Sequence, residues 1–217
     1  MGSPGMNLNN QPKDTPMIIG LTGGIGSGKS TVSRYLRDAY GCPVVDADAI
    51  AHAVTAPGGR VLMAIAEVFG ADFVTACGEL DRRKMRALIA KDVHAKKKLE
   101  AIEHPIIQQA ILEQFEELRQ AKVPLIIYDC PVFFQAHQET YVDVVAVVIC
   151  NRAIRIARIC KRDGIDEDLA NRMVALQMSD AEMTARADVV FDNSGETSDL
   201  YRCVDHWMMA LKKHEKK

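Results

Sequence analysis

The chain has 217 residues, 48% hydrophobic and 26% charged, which suits one domain of ordinary size that builds its core without disulfides or structural metal. Lys and Arg total 27 against 29 Asp and Glu, a net charge of −2, so there is no global pull toward nucleic acid or anionic membranes. No apolar run approaches the ~20 residues that a membrane span needs, and neither nucleic acid nor membrane is expected as a partner.

Residues 1–16 read as a tag and disordered leader: Met1-Gly-Ser-Pro-Gly precedes a second Met at position 6, and the following stretch is polar with two prolines. No basic start leads into an apolar stretch, so no secretory signal is read. The six cysteines (42, 77, 130, 150, 160 and 203) are scattered without a C-x-x-C pair, which argues against a zinc ribbon or redox motif and fits free thiols in a reducing cytoplasm.

Met17 to Leu21 is a short apolar run ending in glycines and is predicted as a buried strand. Ser27 to Tyr40 is predicted helical. Val44 and Val45 form a second strand, stopping at Asp46-Ala47-Asp48. Val123 to Asp129, Asp143 to Cys150 and Ala187 to Phe191 are predicted as strands three to five. Strands separated by helices imply an α/β fold with parallel pairing through right-handed crossovers. Between strands two and three lie about 75 residues, too many for one crossover helix, so a helical insert over 49–122 is expected. Its stripes are Val61, Leu62, Ile65, Val68 and Phe69, then Ile107, Ile111, Phe115 and Leu118; Leu200, Val204, Trp207, Met208 and Leu211 repeat the pattern at the C-terminus. His104-Pro105 is read as a helix start, where Pro is favoured. Residues 151–186 form a second excursion with arginines at 152, 155, 158, 162, 172 and 186. The nucleotide core is then 17–48, 123–150 and 187–217.

Residues 23–30, Gly-Gly-Ile-Gly-Ser-Gly-Lys-Ser, match G-x-x-x-x-G-K-[ST]. Glycines let backbone N–H groups approach phosphate oxygens, and the following helix aims its positive end at them. Gly24, Ile25, Gly26, Ser27, Gly28, Lys29, Ser30 and Thr31 are therefore the candidate ATP-binding residues, with Lys29 the cation for the β- and γ-phosphates and Ser30 the candidate Mg²⁺ ligand. A strand before the loop and a helix after it strengthen the match. Asp46 and Asp48 follow the second strand, at the carboxyl edge where open parallel sheets bind ligands. One of the pair can instead cap the next helix, a common role there; Asp48 is the candidate base facing an acceptor hydroxyl, and Asp46 its support or a metal-water contact. Asp129 ends an apolar strand in the manner of a Walker B acid. Arg152, Arg155, Arg158 and Arg162 can share a helix face, and Arg158 and Arg162 are the candidates for a lid that neutralises phosphate charge. His52 and His104 have no second ligand at metal spacing.

The ordered set resembles the dephospho-CoA kinase family. Gly20 to Thr31 is similar to that family's phosphate loop, and Asp46-Ala47-Asp48 to its D-A-D motif. Pro57-Gly58-Gly59, Phe69-Gly70, Leu80-Asp81-Arg82, His104-Pro105-Ile106, Ala187-Asp188, Asn193 and Gly195 follow in the family's order. The resemblance implies a three-layer P-loop NTPase fold, a five-stranded parallel sheet in the order 2-3-1-4-5, a helical acceptor-binding insert and a lid over 151–186. It implies phosphorylation of the ribose 3′-hydroxyl of dephospho-CoA with ATP and Mg²⁺, in the cytoplasm, by a monomer or weak homo-oligomer. Asp48, Lys29 and Arg158 would be catalytic. Asn193 would lie near the adenine, and Thr22, Asp46, Arg82, His104, Asp129 and Arg162 on the substrate side. One departure stands out: where the family usually reads D-x-P-L-L-F-E, this chain has Asp129-Cys-Pro-Val-Phe-Phe-Gln135, so Gln135 replaces an acid and Val132 and Phe133 are expected to reshape an apolar acceptor wall. The rivals are another small-molecule or nucleotide kinase of the same core, or a regulatory guanine-nucleotide switch, which would be expected to carry an Asn-Lys-x-Asp segment that this chain lacks.

Overall fold

The computed structural model describes residues 15–214, with side chains to 211. The expected leader, 1–16, therefore lies outside the described residues except for Thr15 and Pro16. Five strands form one sheet: β1 (Met17–Gly23), β2 (Val44–Asp46), β3 (Leu125–Asp129), β4 (Val144–Ile149) and β5 (Val189–Asp192), in the order β2-β3-β1-β4-β5. β1 pairs in parallel with β3 and β4, and β4 with β5, with Ile19 opposite both Ile127 and Val144. All seven residues of β1 are buried, as a central parallel strand covered on both faces requires. β3 begins two residues later than the sequence suggested, because Pro124 has no N–H to give a ladder; its carbonyl instead accepts from Met17 N–H at 3.0 Å.

The chain divides into two compact units. The first comprises residues up to 45 and from 118 onward. In it, α1 (Lys29–Tyr40) and α9 (Thr197–His214) contribute Val32, Leu36, Leu200, Val204, Trp207, Met208 and Leu211 to a core with Ile19 and Leu21 of β1. Asp205 of α9 ties them further, accepting from the hydroxyls of Tyr35 (2.7 Å) and Tyr40 (2.6 Å). Period-2 alternation sends Ile18 and Gly20 to the opposite face. There Phe133, fully buried, lies where a Cβ on residue 20 would sit, 2.6 Å from its ring. Phe133 is thus core rather than the acceptor wall expected of it, while Val132 is exposed. α6 (Arg152–Asp163), α7 (Glu167–Ala175) and α8 (Asp180–Thr184) also belong to this unit, with a small core of Ile156, Ile159, Ala170 and Val174.

The second unit, Asp46–Glu117, is helical: α2 (Ala47–Val54), α3 (Arg60–Phe69), α4 (Arg82–Ile89) and most of α5 (Val93–Gln120). Val61, Leu62 and Ile65 are buried as predicted, but Val68, at the rim of the stripe, is exposed. Pro105 does not begin a helix; it lies inside α5. A Pro there forfeits one backbone bond, at ~3 kcal/mol. Apolar anchors on either side, Leu99, Ile111 and Phe115, hold the helix continuous across it. Arg60 and Glu113 fork across α3 and α5 at 3.0 and 2.8 Å.

Candidate active site

The phosphate loop joins β1 to α1. Gly28 is the N-cap of α1 in the left-handed region (φ 91°, ψ 23°), a conformation that disfavours side chains. Ser27 N–H turns back to Gly24 C=O at 3.0 Å, closing the loop, and Thr31 N–H bonds Gly28 C=O at 2.9 Å. Among the described residues, the N–H groups of Gly26, Gly28 and Ser30 meet no acceptor. These donors at a helix N-terminus form a cradle for an anion. Beside them Lys29 makes an ion pair with Asp129, whose carboxylate is buried at the end of β3.

Asn193, 4% exposed, donates its amide N–H to Ser27 C=O at 2.8 Å, and a Cβ on residue 28 would fall on that amide. In this structure Asn193 thus braces the loop from beneath. Its own carbonyl accepts from the Cys150 thiol at 3.1 Å, and burial pushes that thiol's pKa up, keeping it a protonated donor.

The four arginines of α6 part company. Arg152 bonds Asn171 at 2.9 Å. Arg155 is buried, donating to Ile25 C=O at 2.9 Å and to Asp180 at 2.7 Å. Arg158 reaches the carbonyls of Gly26, Ser27 and Asn193 only at 3.3 to 3.4 Å, long contacts for a charged donor. Arg162 is exposed and forks onto its neighbour Asp163 at 2.6 and 2.7 Å, which raises its own pKa and lowers that of Asp163. Thr22 is buried within β1.

Within the second unit, Asp46 is the N-cap of α2, accepting from Ala49 N–H at 3.0 Å. Asp48 lies in that helix's first turn, exposed, and its carboxylate makes no hydrogen bond among the described residues. Arg82 opens α4 after the Asp81 cap, and His104 is exposed on α5. Both act on Glu103: burial raises its pKa, while His104 and Arg82 pull it down. Glu103 brings the two acceptor-side candidates into one neighbourhood, and nothing in the spacing of the sequence marked it. The same is true of Gln177 and Asp180, which hold Ile25 and Arg155.

Comparison with known proteins identifies the family. A family model described as dephospho-CoA kinase matches residues 17–199. A dephospho-CoA kinase of Aromatoleum aromaticum is 41% identical over 87% of this chain and 90% of its own length. That of Burkholderia pseudomallei is 42% identical over 84% and 89%. Among solved structures, the dephospho-CoA kinase from Campylobacter jejuni superposes with a TM-score of 0.66 at 25% identity, covering 91% of this chain and 98% of that one. A Thermus thermophilus protein gives 0.72 at 32%, with the same coverage. With a match that runs from β1 into α9 and takes in the loop, the D-A-D segment and the α6–α8 excursion, the chain belongs to the dephospho-CoA kinase family.

Proposed function

We propose that this protein transfers the γ-phosphoryl group of ATP to the ribose 3′-hydroxyl of dephospho-CoA, giving coenzyme A and ADP, the last step of coenzyme A synthesis. The observation that carries the proposal is the loop of a dephospho-CoA kinase family member with donors on Gly26, Gly28 and Ser30 unengaged and a lysine beside them.

Those N–H groups receive phosphate oxygens, and the Thr31 hydroxyl adds a contact. Lys29 exchanges Asp129 for the β- and γ-phosphates. Arg158, whose contacts with the loop carbonyls are long, trades them for phosphate oxygens at little cost. Arg162 supplies a further cation when it releases Asp163. The acceptor oxygen attacks the γ-phosphorus as the bond to the ADP oxygen breaks, and the hydroxyl proton passes to Asp48. Asp48 suits this role better than Asp46, whose carboxylate is occupied in capping α2. Arg82 and His104 hold the acceptor. Mg²⁺, when bound, neutralises charge on the triphosphate; the Ser30 hydroxyl and the Asp129 carboxylate are the residues that would hold it. Among the described residues no group of three or more His, Cys, Asp or Glu could hold a metal ion. Cysteines scattered without a C-x-x-C pair suit a reducing cytoplasm, and we propose that the enzyme works there, as a monomer or weak homo-oligomer. Among the described residues no helix is long and apolar enough to cross a membrane.

Incubation with ATP, Mg²⁺ and dephospho-CoA, read by mass, tests the proposal. Coenzyme A should form, and ATP should be consumed far faster with acceptor present. ATP turnover indifferent to dephospho-CoA, with no coenzyme A mass, would reject it.

A further inference from the structure

Ile25 is held by the α6–α8 segment through every group it has. Its side chain packs against the core of Ile156, Ile159, Ala170 and Val174. Its N–H donates to Gln177 Oε1 at 2.7 Å, and its carbonyl accepts from Arg155 Nε at 2.9 Å. Arg155 is itself 4% exposed and anchored on Asp180 at 2.7 Å, and its second terminal nitrogen lies 3.4 Å from the same Gln177 oxygen. Asp180 opens α8, whose start is fixed by a reciprocal capping box between Ser179 and Glu182.

These bonds orient two peptide planes. In a trans peptide the carbonyl and the next N–H point in opposite directions. Arg155, by holding Ile25 C=O, therefore directs Gly26 N–H to the opposite side. Gln177, by holding Ile25 N–H, directs Gly24 C=O toward the Ser27 N–H it accepts at 3.0 Å. A glycine-rich loop has little conformational preference of its own. The sequence Gly-Gly-Ile-Gly must take its orientation from a neighbour, and Ile25 is where the neighbour grips it.

We propose that Gln177 and Arg155, anchored by Asp180, are positioning residues for nucleotide binding: through Ile25 they preset the Gly26 N–H that receives phosphate, so the α6–α8 segment carries the loop rather than merely covering it. This rests on the kinase reading above, and its test is kept separate by measuring nucleotide binding without acceptor. The probe is N-methylanthraniloyl-ADP, titrated into the whole protein well below its melting temperature. Gln177→Leu, which removes the acceptor of Ile25 N–H, should weaken binding about tenfold and leave the KM for dephospho-CoA unchanged. Gln177→Glu restores an acceptor and should return the Kd to within about threefold of the parent. A parent protein that binds the probe yet makes no coenzyme A would reject the proposed reaction and leave the strut standing. A Gln177→Leu Kd equal to the parent's, or a Gln177→Glu Kd as weak as Gln177→Leu, would overturn the strut. Should Gln177→Leu not fold, Asp180→Asn, which loosens Arg155 from a half-exposed position, should weaken the probe about threefold, and an unchanged Kd there overturns it equally.

Discussion

Replacing Gly24 by Ala should destabilise the nucleotide-free protein, although the loop motif leaves that position open to any residue. The backbone at Gly24 is not in the left-handed region, so an ordinary Gly→Ala change here would stabilise by ~0.4–1 kcal/mol through the unfolded chain. The sign reverses because of one neighbour. An ideal Cβ on residue 24 would fall onto an Arg155 terminal nitrogen and lie 2.8 Å from Cζ, closer than Cβ atoms approach other heavy atoms. A surface arginine would swing aside. Arg155 cannot, because it is buried and bonded to Ile25 C=O and Asp180. Giving up one or two charge-assisted bonds, each worth about 1.5–3 kcal/mol, or straining the loop by a similar amount, sets the net cost at roughly 2–4 kcal/mol. At ~2–4 °C per kcal/mol for a chain of this size, melting should fall by about 5–15 °C, measured by circular dichroism without nucleotide. A double-mutant cycle isolates the cause. In an Arg155→Lys background the planar head is gone, and Gly24→Ala should lose at least half its cost. A Gly24→Ala protein that melts higher than the parent, or a cost unchanged by Arg155→Lys, would show that close approach of α6 is not why glycine stands at 24.

Asp48→Asn should lower kcat by roughly 10²–10⁴ with little change in nucleotide affinity, whereas Asp46→Asn, which can still cap α2, should keep activity within about tenfold; steady-state kinetics of both variants decides between the two carboxylates. Lys29→Ala should abolish transfer in a protein that still folds, seen as a retained cooperative melt and no coenzyme A by mass. Glu103→Gln should raise the melting temperature at pH 7.5. Burial raises the Glu103 pKa in the fold, so this group favours the folded state below its unfolded pKa and loses that contribution as pH rises through the folded value. The gain from the neutral amide should therefore shrink to nothing on acidification below pH ~4, the unfolded carboxyl range, and a pH-independent difference would contradict burial as the cause.

Much of the fold was legible because its signals are local. An apolar run running into Gly-Gly-Ile-Gly-Ser-Gly-Lys-Ser fixes a strand, a loop and a helix start at once, and the α9 stripe from Leu200 to Leu211 is buried at every position it named. Pro105 misled because the rule for Pro is local while its exception is tertiary: packing by Leu99, Ile111 and Phe115 outweighs one missing bond. Phe133 misled because a motif comparison marks where residues differ, not which way they face. It points under β1 into the space that Gly20 leaves open.

The arginines of α6 show where periodicity stops being informative. At 100° per residue Arg155 and Arg162 lie about 20° apart around the helix axis, and by angle alone they are equivalent. They differ by roughly 10 Å of axial rise, at 1.5 Å per residue. That difference sets Arg155 against Ile25, deep enough to be buried and bonded, and leaves Arg162 exposed and paired with its neighbour Asp163. Arg158, between them in height, touches the loop carbonyls through long contacts alone. Which arginine grips, which touches and which waits is therefore decided by where Ile25 meets the helix along its length, a coordinate set by the packing of Ile25 against Ile156 and Ile159. A residue's place around a helix can be read from spacing; its distance from a loop 130 positions earlier in the chain exists only once the core has formed.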